Sequence, residues 1–208
     1  MYGRVQLVGY VALLVTPAAL LLSAARAPST VSLGSVSLQV GVALAGTVVA
    51  ATERQRLSGL DTASLERTDA VDALAVATAA VGTYWLSVHA GLGPILASAL
   101  VGLVAGVALP QVDGPAYCGS FVGMVSPTLF PTVAPVLLAG SVAGLAFVAA
   151  RDSFGGVGGK LGTLAFFGCA TTITLPGIDY AAGTAIPWVD APPLIAVAVV
   201  GAVLTVVL

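Results

Sequence analysis

PQVDGPAYCGSFVGM at 110–124 and RDSFGGVGGKLGT at 151–163 are two glycine-rich breaks in a chain whose remaining length is mostly apolar. Their reading decides the fold, because everything around them falls into apolar runs of membrane-spanning length plus one charged loop. Hydrophobic types make up 58% of the 208 residues and charged types 8%, and the mean hydropathy is +1.07. Soluble domains carry about 25% charged residues. A chain this poor in charge cannot cover a globular surface with water-compatible side chains, whereas lipid can cover a polytopic membrane protein. The sequence therefore predicts an all-α integral membrane protein, one transmembrane domain over residues 1–208, with the lipid bilayer as its first partner.

The apolar runs lie at 5–25, 33–51, 70–89, 92–109, 132–150, 161–178 and 191–208. Each is near the 17–25 residues that cross a hydrocarbon core of about 30 Å. The first has a rival reading as a cleaved signal, with Arg4 as its basic flank and Ala25-Arg26-Ala27 as the cut. Its length favours a retained span. Gly41 and Gly46 with neighbouring alanines, and Gly102 with Gly106, predict close helix crossings. Gln39 is the polar exception in the second span. Residues 52–69 read as a solvated loop of mixed charge, in preference to a short helix near Thr62–Arg67, where Thr62 and Glu66 loosely resemble a cap.

The uncharged run 115–131, PAYCGSFVGMVSPTLFP, is either a short eighth crossing or a re-entrant loop, because Pro127 and Pro131 forbid a regular helix at its end. The distribution of basic residues separates the two. With eight crossings and both termini cytoplasmic, Arg4, Arg54, Arg56, Arg67, Arg151 and Lys160 fall inside and only Arg26 outside, six to one. With a re-entrant loop the division is four to three. The positive-inside rule favours eight crossings in a prokaryotic cell membrane over seven plus a re-entrant element.

An internal repeat is the next expectation. SALVGLVAGVA at 98–108 parallels GSVAGLAFVAA at 140–150, and Gly119–Val122 parallels Gly162–Ala165, a period of roughly 42 residues. Chance matching in an Ala/Val/Gly/Leu-rich chain gives the same pattern. Transporters are often built from repeats, with polar groups in short or broken spans marking the site. On that ground the candidate path residues are Tyr117, Cys118, Gly119, Ser120 and Gly123 in the first break. In the second they are Gly155, Gly156, Gly158, Gly159, Lys160, Gly162 and Thr163. The bland reading of the first set is G-x-x-x-G helix packing. For the second it is a cytoplasmic turn with one snorkelling lysine. The second break is not a phosphate loop, since Phe154 and Leu161 occupy the first glycine and the hydroxyl positions of that motif.

Other chemistries are poorly provided for. The one histidine, His89, cannot build a zinc or iron site alone, and Cys118 and Cys169 match no metal or redox spacing. No metal, cofactor or catalytic residue is expected. There is no basic patch for nucleic acid. An intramembrane hydrolase would need Ser120 or Cys118 against His89 as base. Acidic residues fall at or near span ends, which speaks against a proton-coupled antiporter. The expectation is a non-enzymatic small-solute transporter or channel. The alternatives are an accessory or structural subunit, as a homo-oligomer or within a larger membrane complex, and an intramembrane enzyme.

Overall fold

The computed structural model describes the backbone of residues 2–26, 33–58, 66–155 and 159–175. The expected last span at 191–208, Gly156, Gly158 and the Gln39 side chain lie outside the described residues, as does most of the expected helix near Thr62–Arg67. Among the described residues the chain is all-helical: α1 (Tyr2–Arg26), α2 (Leu33–Ser58), α3 (Arg67–Val88), α4 (Gly93–Ala108), α5 (Asp113–Gly123), α6 (Val133–Ala149) and α7 (Lys160–Ile173).

Local chemistry sets the helix ends. The Asp69 carboxylate reaches back to accept the Glu66 N–H at 2.8 Å and so opens α3. The expected Thr62/Glu66 cap involves Thr62, which lies outside the described residues. Pro94 lies in the first turn of α4, where a missing N–H costs nothing. The α5 helix stops at Gly123. Pro127 stands four residues on, where its ring would clash with the Gly123 carbonyl and its missing N–H would leave that carbonyl without a partner. Gly159, at φ +86°, makes the left-handed turn into α7.

The solvated-loop expectation for 52–69 needs correcting at 52–58, and residues 59–65 lie outside the described residues. α2 continues to Ser58, because Glu, Arg and Gln are good helix formers and Glu53 has a buried partner. That partner is the Phe154 N–H, 2.6 Å from Glu53 Oε1.

Helix α3 is the centre of the bundle, flanked by α4, α5 and α6. The contacts are backbone to backbone where glycine permits. A Cβ on Gly119 would stand 2.1 Å from the Val76 carbonyl oxygen, and one on Gly123 2.4 Å from that of Ala80. Gly144 and Gly140 of α6 lie on Ala73 and Ala77 in the opposite order, and Gly168 of α7 lies on Ala139 and Ala143. So α5 runs with α3, and α6 against it. The buried core over these crossings includes Val76, Ala80, Tyr84, Val122, Val136 and Leu164. The expected glycine faces elsewhere are less used. Gly102 meets the Tyr117 ring, whereas Gly41, Gly46 and Gly106 face open space.

Among the described residues two helices, at Val5–Ser23 and Arg67–Val88, are long and apolar enough to cross a membrane, and α4, α6 and α7 are shorter apolar helices. Large apolar side chains cover the outside of the bundle. Ile95 is 76% exposed and Val107 77%, joined by Leu44, Leu74, Leu103 and Leu145.

Candidate functional site

The first break divides into a helix and an unwound tail. Within α5, Cys118, Ser120 and Val122 are fully buried. The Ser120 hydroxyl lies 2.9 Å from that of Ser98 on α4 and can donate to the Tyr117 carbonyl at 2.8 Å. The Cys118 thiol points to the Leu161 carbonyl at 3.5 Å. Tyr117 is half exposed and tilts against Phe121 with ring centroids 4.6 Å apart. Gly119 and Gly123 are the close approaches to α3. All five residues are engaged in helix contacts.

Beyond Gly123 the chain stays non-helical through Thr132 and reaches the far end of α3, where buried Tyr84 donates its phenol proton to the Phe130 carbonyl at 2.6 Å. The segment 113–131 therefore runs the length of the bundle instead of doubling back. Ser126 and Thr128 pair their hydroxyls at 2.7 Å in this stretch. Between it and α7 lies a cavity of about 430 Å³, whose lining includes Phe121, Val125, Ser126, Gly162, Phe166 and Cys169. No Asp, Glu, Lys or Arg lines it.

The second break sits at the opposite end, inside a polar cluster. Arg151 places its guanidinium directly on Asp69 and 3.1 Å from Asp72. Gln6 donates to Asp152 at 2.9 Å. Glu53 holds the Phe154 N–H, as above, and Phe154 takes φ +54°, a conformation that costs a side-chain-bearing residue about 1–2 kcal/mol. Tyr10 stacks on the Phe154 ring at 5.7 Å and donates to the Ala50 carbonyl at 2.9 Å. Lys160 donates to the Arg151 carbonyl at 2.9 Å. Burial pulls its ammonium below the usual lysine range, against the opposing pull of Asp152 and Glu53. Thr163 bonds back to the Gly159 carbonyl at 3.0 Å. Gly155 lies under the Arg56 guanidinium, and Gly162 lines the cavity described above.

The four-residue turn 151–154 thus binds α1, α2 and α3 at once. Among the described side chains, Asp, Glu, Lys and Arg all fall at this end, because α2 finishes there, α3, α5 and α7 begin there, and α6 finishes there. The opposite connections, 89–92 and 124–132, hold none.

The two candidate breaks meet where Cys118 touches Leu161, but they do not converge on one polar centre. Glu53, Asp69, Asp72, Arg151 and Tyr84 were not among the expected site residues. Their signal is faint: two carboxylates at i and i+3 opening one span, and a lone arginine closing another. His89 stacks on Trp85 at 6.1 Å. Ser120 follows Gly119, which packs on Val76, so roughly three and a half turns of α3, about 18–20 Å, separate it from His89. The nucleophile–base pair is not assembled. Among the described residues no group of three His, Cys, Asp or Glu could hold a metal ion. No known protein family, curated protein or solved structure matches the chain.

Proposed function

We propose that this chain is a multi-pass membrane protein with eight crossings, its charged end cytoplasmic, that carries or conducts a small uncharged solute. The membrane part is supported by the apolar exterior of Ile95, Leu103, Val107 and Leu145, since a soluble protein seldom exposes so continuous a surface. One-sided charge supports the orientation. It suits the cell membrane of a prokaryote with both termini inside.

The transport part rests on one observation. The 113–131 segment is unwound from residue 124 onward and borders there a cavity of about 430 Å³. Irregular backbone at membrane depth is tolerated where it is buried in protein or lines a cavity, and broken helices mark transporter sites. The cavity wall offers hydroxyl, thiol and peptide groups and no charge, so an ion would find no counter-charge there. The path is thereby moved from Gly119 and Ser120 to Ser126, Cys169 and Gly162. A second reading, a non-transporting packing subunit, is favoured by the closed crossings at Gly119, Gly123, Gly140, Gly144 and Gly168.

In a Cys118→Ser, Cys169→Ser background, single cysteines at Ser126 and Gly162 should react with an impermeant maleimide. Proteoliposomes should pass urea or glycerol faster than empty vesicles, and labelling should stop the excess flux. Two inert cysteines and no excess flux would leave the packing-subunit reading. A reporter fused at residue 158 that reads as external would reverse the orientation.

A further inference from the structure

A second cleft lies on the other side of α7, between α1, α2 and α7. It encloses about 360 Å³, at the small end of ligand pockets, which run from about 300 to 1,000 Å³. Leu13, Leu14 and Pro17 form one wall, and Ala45, Gly46 and Val49 the other. A Cβ on Gly46 would meet nothing within 4 Å, so the cleft is open at its middle. Its one charged lining residue is Lys160, at the end toward the 151–154 turn.

A lysine ammonium has three protons to donate. One goes to the Arg151 carbonyl, and no other acceptor for it is found among the described residues. Asp152 and Glu53 attract the ammonium without bonding to it: Asp152 takes the Gln6 amide, and Glu53 takes the Phe154 N–H and the Arg56 guanidinium. The first N–H groups of α7 add positive potential at the same end. An apolar slot closed by a partly buried cation matches a molecule with one hydrocarbon chain and one anionic head.

We propose that this cleft binds a single-chain carboxylic acid amphiphile, its carboxylate on Lys160 and its tail between Leu13 and Val49. The slot is too small for the two chains of a phospholipid. This site uses a different face of α7 from the solute path and stands or falls independently of it.

The probe is radiolabelled undecanoic acid, added to the full chain in non-ionic detergent and read by scintillation proximity. Unlabelled undecanoic acid should displace it at least tenfold better than undecanol, because a charge-assisted hydrogen bond is at stake. Lys160→Gln should weaken binding about tenfold. Gly46→Leu and, independently, Val49→Phe should abolish it by filling the slot, while Leu103→Ala on the outer face of α4 should leave it unchanged. Elution volume and melting temperature identify any variant that fails to fold. Equal competition by acid and alcohol, or unchanged binding by Lys160→Gln, overturns the proposal. So does displacement by phosphatidylglycerol but not by undecanoic acid. If Gly46→Leu shrinks the assembly on elution, the cleft is an interface between copies and the proposal falls.

Discussion

The charged end and the middle of the bundle hold the same helices together by opposite means. At the charged end, side chains reach across gaps: Arg151 to α3, Asp152 to α1, and Glu53 from α2 to the turn. In the middle, contacts form because side chains are missing, as Gly119, Gly123 and Gly144 let backbones touch. Removing a reaching side chain leaves a charge or a polar group at the bundle end unanswered. Adding a side chain in the middle forces two helices apart. The two regions therefore fail under opposite substitutions.

The largest effect is expected at the charged end. Arg151→Met leaves Asp69, only 4% exposed, without its cation, and breaking a buried pair from one side costs about 3–5 kcal/mol. Thermal unfolding in detergent reads this as a large drop in melting temperature. The comparison is sharpened by Arg151→Met/Asp69→Asn/Asp72→Leu, which removes the whole ion group but keeps an acceptor for the Glu66 N–H and should recover most of the loss, because a neutral replacement of a whole buried ion group is often tolerated. No recovery would mean that Arg151 acts through something other than its charge.

Gly119→Ala comes next. Its methyl must displace the Val76 carbonyl, and overpacking costs about 1–3 kcal/mol. A melting temperature equal to wild type would break the backbone-contact account of the middle. Tyr84→Phe removes the buried bond to the Phe130 carbonyl and should cost about 1–3 kcal/mol, with faster proteolysis of the unwound 124–132 stretch as a second readout. Ser98→Ala should lose about 0.6 kcal/mol, typical of hydroxyl contacts between helices in lipid. Gly106→Ala is the control within ±0.5 kcal/mol, since its Cβ faces open space.

Much of this architecture is legible in the residues. Apolar runs end within about three residues of most of the helices, because apolar run length and helix length answer to the same constraint. Pro127 announces where α5 must stop. The spacing of Gly119 and Gly123 announces a close crossing, but nothing local says that α3 is the partner. Glu53 read as a solvated charge because its partner is a backbone N–H about a hundred positions away, in a turn whose conformation no local pattern specifies. The first glycine break looked like a site because small and polar residues serve packing and permeation equally well. Only burial separates Ser120, closed against Ser98, from Ser126, which lines a cavity.

The Asp72–Arg151 bond spans 79 positions, and a ribosome needs roughly 4 to 16 s to cover that distance at about 5–20 residues per second. Throughout that interval the newly made α3 carries two carboxylates whose partner in the finished bundle, the Arg151 guanidinium, has not been made. The bundle cannot close while its central helix waits for the end of α6. Chains truncated before residue 151 should stay bound to insertion machinery or be degraded, and chains that carry Arg151 and the whole of α7 should give protease-resistant bundles.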